Sequence, residues 1–265
     1  MAYTKIKVSE EGPVTVIAFA DPATMNAAGV DTAQELTQAF DAATAEGSST
    51  RAIVLTGEGR GFCSGANLSG GAGSGAGGGV SGDAGSSLKT VYNPLVTKVR
   101  NLKVPLVTAV NGAAAGVGCS IALMGDMIIA GESAYFLQAF RRIGLIPDGG
   151  STYLLPRAIG RARAMEMALL GERVPAAKAL EWGMINRVVP DAELMPAAMA
   201  LANELAKGPA SLALIRQTIW DSLDTDWADQ LTLEADRQSI AGRTEDFREG
   251  VTAFLQKRPA EFKGR

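Results

Sequence analysis

Val110–Leu123 reads VNGAAAGVGCSIAL. A β-rich run, Val104–Val110 (VPLVTAV), ends in a turn of small residues that leads into a short buried helix, Gly116–Met124. Gly59–Leu68, GRGFCSGANL, has the same build and follows a second β-rich run, Arg51–Thr56 (RAIVLT). In both stretches a ligand can approach the backbone closely. N–H groups at a helix start are unpaired and carry partial positive charge, so they stabilise anionic oxygen. Two such groups converging on one oxygen form an oxyanion hole. Close packing between elements is the competing reason for small residues in these places.

Working outward, Val14–Ala20 and Met127–Ala130 read as further strands, and Asp31–Glu46 and Leu88–Leu102 as helices. Asp31 and Gln34 have the spacing of a capping box. Arg161–Leu170 and Pro175–Trp182 read as short helices. From Glu193 only helices follow: Glu193–Lys207, Ser211–Ser222, Trp227–Ala241 and Thr244–Lys257. Strands alternating with helices, then an all-helical end, predict an α/β core over residues 1–192 and a helical C-terminal region over 193–265. Ser69–Ser87, rich in glycine and serine, predicts a mobile loop.

Composition narrows the chemistry. The chain has 265 residues, 47% of them hydrophobic and 20% charged, which suits a large buried core. Its net charge of −3 comes without a basic block, so nucleic acid is a poor partner. The opening MAYTKIKVSEEG has no apolar signal core, and no apolar run reaches membrane-spanning length, so a soluble cytoplasmic protein is expected. There is no histidine, which removes Ser-His-Asp and Cys-His nucleophile systems and His-ligated metal sites. Cys63 and Cys119 cannot make a zinc site alone and read as reduced core residues. No metal site is expected. Gly57–Phe62 lacks the third glycine of a dinucleotide motif, and no Gly-Lys-Ser/Thr P-loop occurs. Carboxylates and backbone dipoles are left to carry any chemistry.

One carboxylate stands out. Gly144–Ser151 reads GLIPDGGS, an apolar run that delivers Asp148 into a glycine pair. Pro-Asp-Gly is good turn chemistry, so Asp148 is either a turn residue or a proton carrier. Leu145, Ile146 and Pro147 would desolvate its carboxyl, which raises a carboxyl pKa and makes a better base.

The two glycine-rich stretches together, their spacing, and the segment FLQAFRRIGLIPDGGSTYLLPRAIGRARAMEMALLGERVPAAKALEWGMINRVV resemble the crotonase (enoyl-CoA hydratase/isomerase) superfamily. The resemblance extends to the ending EGVTAFLQKRPAEFKGR. Within the superfamily the central segment and the ending look most like the bacterial ring-1,2-epoxyphenylacetyl-CoA isomerases of phenylacetate breakdown. The resemblance implies a right-handed spiral of ββα units with C-terminal helices that build trimers, often paired as hexamers. It implies an acyl-CoA thioester substrate and no separate cofactor, coenzyme A being part of the substrate. By motif position the oxyanion donors would be the N–H groups of Ala66 and Val117. Hydratases usually have glycine at the second place; valine keeps the donor and narrows the site. Ala27, Ser64 and Leu68 fall where the family holds the adenine and pantetheine, and Asn67 reads as a loop anchor beside them. Phe254 and Lys257 fall where a neighbouring subunit touches coenzyme A. Ala23 stands where many members carry a lysine or arginine.

The departures matter most. Hydratases carry two glutamates, at the positions of Ser120 and Phe140 in this chain, and two carboxylates are needed to hold water and pass its proton across the double bond. The epoxyphenylacetyl-CoA isomerases lack both and carry an aspartate that matches Asp148. The resemblance therefore implies an acyl-CoA isomerase with Asp148 as its acid/base, Ser120 either bonding substrate or water or filling space, and Phe140 at the substrate. A weak enoyl-CoA hydratase and a halobenzoyl-CoA dehalogenase-like enzyme, with aspartate as nucleophile, are the alternatives on this fold. A non-catalytic CoA- or RNA-binding protein is the rival of another class; the acidic balance and the absence of a lysine-rich helix oppose RNA.

Overall fold

A computed structural model describes residues 3–67 and 84–265. The chain opens with β1 (Ile6–Glu11), β2 (Val14–Phe19) and α1 (Val30–Ala43). β3 (Ala52–Gly57) and β4 (Gly61–Cys63) precede α2 (Ala84–Ser87), which passes through a π-helical turn at Leu88–Tyr92 into α3 (Asn93–Arg100). β5 (Leu106–Val110) and β6 (Ala113–Ala115) precede α4 (Val117–Ala122), and β7 (Met127–Gly131) and β8 (Tyr135–Leu137) precede α5 (Ser151–Leu170). β9 (Val174–Pro175), α6 (Ala176–Glu181) and β10 (Arg187–Val189) complete the sheets. The helices α7 (Leu194–Ala206), α8 (Ser211–Ser222), α9 (Trp227–Ala241) and α10 (Glu245–Gln256) follow.

Three successive turns of the spiral, β3–β4, β5–β6 and β7–β8, each give a longer strand to a six-stranded sheet, ordered β1-β2-β3-β5-β7-β10, and a three-residue strand to a four-stranded sheet, ordered β4-β6-β8-β9. Among the described residues only β1 and β9 run antiparallel to their neighbours. The central strands of the large sheet, β2, β3, β5 and β7, are covered on both faces, which is why they read as continuous apolar runs. Ile17, Ile53, Leu55 and Leu106 point to the side of α1 and α3. Val14, Val54, Val107 and Ile129 point the other way, onto Leu194, Ala198 and Ala202 of α7. Each large aliphatic side chain buried this way contributes about 1.5–3 kcal/mol. The small sheet is built on tight approach. A β-carbon on Gly118 would lie 2.3 Å from the Cys63 carbonyl oxygen, so α4 packs directly on the β4 backbone.

Several elements differ from the sequence reading. β1 is a strand with Ile6 alone buried, an exposed edge whose pattern carries no alternation. Gly29 precedes the first turn of α1, and its N–H donates to Thr32 Oγ1; Gln34 has no part in the cap. α5 begins ten residues before Arg161, as two helices joined at Gly160, where φ is +77°. Pro156 and Gly160 conceal the first of them. Of the predicted loop Ser69–Ser87, residues 84–87 form the helical turn α2, and residues 69–83 lie outside the described residues.

The helical end is tied to the core by buried polar bonds. Arg216, 6% exposed, pairs with Asp126 at 2.7 Å and donates to the Val99, Arg100 and Leu102 carbonyls at the end of α3. These are the carbonyls a helix C-terminus leaves unpaired. The Asp246 carboxylate accepts the N–H groups of Ala210, Lys263, Gly264 and Arg265, which pins the last residues of the chain. Among the described residues no helix is long and apolar enough to cross a membrane.

Candidate active site

The three parallel strands of the small sheet end side by side, and their carboxyl ends deliver the candidate residues. β4 runs into Ser64, Gly65 and Ala66; β6 into Gly116 and Val117; β8 into Gln138, Ala139 and Phe140. This is where open α/β sheets bind ligands. Ser64, Ala66, Val117, Phe140 and Asp148 line one cavity of about 400 Å³, with Leu88, Tyr92, Leu145 and Ile146 among its walls.

Two stretches of backbone meet at this cavity, and each leaves an N–H group unpaired. Gly65 (φ +104°) and Gly116 (φ +53°) hold conformations open to glycine, and their backbones touch: a β-carbon on Gly65 would lie 3.7 Å from the Gly116 α-carbon. The next residues are Ala66 and Val117. Val117 opens α4, so its N–H has no acceptor within the helix. Around Ala66, Ala28 N–H donates to Gly65 O and Asn67 N–H to Ala28 O; the Ala66 N–H has no acceptor among the described residues.

Asp148 reaches the same cavity from the loop before α5. Its carboxyl is half-buried, and Oδ1 is enclosed without a hydrogen-bond partner among the described residues. Burial lifts its pKa from 3.8 to about 6. Leu145 and Ile146 form the cavity's open rim, 44% and 79% exposed. Asp148 is the only acid lining this cavity among the described residues.

The other sequence-predicted residues divide. Ser120 is fully enclosed, donates to the Asp148 carbonyl oxygen at 2.8 Å and is not among the residues that line the cavity. Ser64 Oγ donates to Thr24 O, which joins the cavity edge to the turn that holds Ala27. Ala27 and Asn67 are half-buried beside this edge but outside the cavity lining. Leu68 lies outside the described residues. Phe254, 82% exposed, and Lys257 lie on the C-terminal helix end and are not part of this chain's own cavity. Arg141 and Arg142 donate to the Leu170 and Gly171 carbonyls at the end of α5. Cys63 and Cys119 are buried free thiols, and burial pushes both up to about 12.

Tyr92 is the residue that sequence reasoning missed. It lines the cavity from the π-helical turn, and its hydroxyl donates to Ala28 O at 2.8 Å, beside the loop of Ala66. Its partner is 64 positions away, and no local pattern signals the contact. Burial pushes its phenol up to about 12, which keeps it a donor.

An enoyl-CoA hydratase/isomerase family model matches residues 9–265. The 1,2-epoxyphenylacetyl-CoA isomerase of Escherichia coli K12 is 49% identical over 217 residues, which cover 81% of this chain and 82% of that one. A Rhodobacter capsulatus protein named "Probable enoyl-CoA hydratase" is 43% identical over the full length of both chains. The solved enoyl-CoA hydratase of Bacillus anthracis superposes with a TM-score of 0.91 at 29% identity, covering 99% of this chain and 100% of its own. A spiral of two sheets, a cavity at the strand ends of the smaller one, and a match along nearly the whole chain all lead to one assignment: the chain belongs to the enoyl-CoA hydratase/isomerase, or crotonase, family of enzymes.

Proposed function

We propose that the protein is an acyl-CoA isomerase that works through a thioester enolate and needs no separate cofactor. The observation that carries this reading is the half-buried Asp148 carboxyl, with its pKa lifted to about 6 and one oxygen free, in the same cavity as two unpaired backbone N–H groups. The thioester carbonyl oxygen would sit between the Ala66 and Val117 N–H groups. Deprotonation at the adjacent carbon places negative charge on that oxygen, where the two donors stabilise it. Asp148 takes the proton and returns it elsewhere on the conjugated system. With a 3-enoyl-CoA this moves the double bond to position 2. With a ring epoxide of phenylacetyl-CoA it assists rearrangement to the seven-membered oxepin. The Escherichia coli relative's name supports the second substrate.

Hydration is disfavoured by the same cavity. Phe140 stands on its wall, and Ser120 is fully enclosed, where hydratases carry their two acids. One carboxylate alone cannot both hold water and hand its proton across a double bond efficiently. The test is a mass-spectrometric screen of epoxyphenylacetyl-CoA, a 3-enoyl-CoA and crotonyl-CoA. Isomerisation of one of the first two is expected, with slow or undetectable hydration of crotonyl-CoA. Rapid hydration with no isomerisation would overturn the reading.

We further infer self-association as a trimer or a dimer of trimers. Trp227, Phe247, Phe254 and Leu255 on α9 and α10 are 78%, 52%, 82% and 74% exposed, a large apolar surface for a lone chain. Such an assembly would let Phe254 and Lys257 reach a neighbour's coenzyme A. Sedimentation at micromolar concentration is expected to give three or six copies; a monomer would remove both the assembly and the shared site.

A further inference from the structure

We propose that Ser120 is a positioning residue for the isomerisation, a hydroxyl clamp that aims Asp148 into the cavity by holding its backbone carbonyl. The proposal rests on the reading of Asp148 as the acid/base. Its first support is that nothing holds the Asp148 carboxyl directly: Oδ1 is enclosed without a partner among the described residues. The direction of the side chain must therefore come from its backbone. A reacting group 1 Å out of place loses much of its rate, so that backbone needs a fixed position.

The sequence around Asp148 supplies little rigidity by itself. Gly149 and Gly150 follow it with φ of +58° and +84°, and two adjacent glycines leave the chain free to swing. The carbonyl between them and Pro147 is held instead by three donors. Ser120 Oγ lies 2.8 Å from Asp148 O, Ser151 Oγ 2.9 Å and Ser151 N 3.1 Å. The two from Ser151 come from the helix that follows, so they move with the loop. The Ser120 bond is the one that spans 28 positions and ties the loop to another element. The alternative acceptor for Ser120, the Gly116 carbonyl, is more distant at 3.4 Å.

Packing agrees with the hydrogen bond. A β-carbon on Gly149 would lie 2.8 Å from the Ser120 β-carbon and 3.4 Å from Val117 Cγ2. The loop is thus seated on the first turn of α4, the same turn that begins with the Val117 N–H. One helical turn sets both the candidate oxyanion donor and the height of the base above it. This also gives position 120 a reason to be serine. A glutamate there would have no room against Gly149 and would displace the loop, so the change that restores a hydratase acid would unseat the isomerase base.

The experiment uses the full-length enzyme and the 3-enoyl-CoA or epoxyphenylacetyl-CoA that it isomerises. It compares wild type, Ser120→Ala, Ser120→Thr, Ser151→Ala, Asp148→Asn and the Ser120→Ala/Asp148→Asn double variant, each with a thermal melt. For Ser120→Ala we expect kcat to fall about tenfold with KM changed less than about twofold, because binding is kept and aim is lost. The acid limb of its pH–rate profile should move down from near 6 towards the ordinary carboxylate range as water reaches the loosened carboxyl. Ser151→Ala, which leaves the bond to α4 in place, should change kcat less than about twofold, and Ser120→Thr, which keeps a hydroxyl, should retain more of the rate than Ser120→Ala and decides the matter if Ser120→Ala is unstable. In the Asp148→Asn background, Ser120→Ala should alter the residual rate less than about twofold, the non-additivity of residues acting as one unit. Loss of rate in Asp148→Asn together with an unchanged kcat and pH profile in Ser120→Ala would overturn the clamp alone. An Asp148→Asn enzyme with a normal rate would overturn the base and the clamp with it.

Discussion

Asp148→Asn is expected to fold, bind acyl-CoA and lose isomerisation by about 10²-fold or more, the usual contribution of a general base. The amide keeps the shape and the backbone bonds of the loop: the contacts from Ser120 and Ser151 go to the carbonyl, not to the side chain. What it removes is the lone pair that accepts the proton. Uptake of solvent deuterium into substrate should fall in parallel. Asp148→Glu should also suffer, since an extra methylene displaces the carboxylate by about 1 Å.

The raised pKa gives this variant a second signature of opposite sign. The carboxyl titrates near 6 in the folded protein against an ordinary value of 3.8. Burial therefore disfavours the charged form, and the wild type carries a stability cost that is absent below about pH 4, grows as pH rises and is complete above about pH 6. The displacement corresponds to roughly 3 kcal/mol at full burial, and to about 1–2 kcal/mol for a half-buried carboxyl that solvent still screens. Asp148→Asn should accordingly melt higher than wild type at pH 8 and level with it at pH 4. Wild-type kcat should fall about tenfold per pH unit below 6, as the base is protonated. A variant that melts higher at pH 8 while its rate collapses is the pattern of a strained functional group. A folded variant with near-normal rates would return Asp148 to the turn in which it sits.

Legibility in this chain followed burial. β2, β3, β5 and β7 are covered on both faces, and their apolar runs announce them. The small sheet is different. GFC, AAA and YFL are three residues each, too short for a period, and they pair only because the spiral stacks them. Yet this sheet sets the site. The glycine turns at its strand ends were readable as tight turns of small residues, and Gly65 and Gly116 do adopt positive φ there. Asp148 was readable because an acid in an apolar run is unusual. The contacts of Ser120 and Tyr92 were not, because each is a hydrogen bond to a carbonyl far away in sequence, and neither residue type is out of place in a helix. Sequence spacing shows which face a residue occupies and leaves open which loop will be folded against it.

Replacing Val117 by proline should lower kcat by about 10²–10³-fold, the usual loss when one oxyanion donor is removed. Few positions permit so direct a test of a backbone hydrogen. Val117 is the first residue of α4, and proline is well tolerated at that place because its missing N–H has no helical partner and its φ suits the first turn. The residue before a proline is normally restricted, but here it is Gly116 at φ +53° and ψ −129°, close to the mirror image of the extended conformation that proline prefers before it. Glycine, having no β-carbon, adopts that mirror form freely. The helix should therefore survive, while the hydrogen is lost and a ring methylene takes its place. Val117→Ala is the matched control: it trims the same buried side chain and keeps the N–H, so any loss common to both variants belongs to packing. The measurement is kcat and solvent deuterium uptake for both, beside a thermal melt. If enolate charge gathers on an oxygen held by the Ala66 and Val117 donors, the proline variant should lose exchange and turnover together while the alanine variant keeps most of both. A folded Val117→Pro enzyme that turns over like Val117→Ala would mean that the charge settles elsewhere, and that the small-residue turn at Gly112–Ser120 serves packing after all.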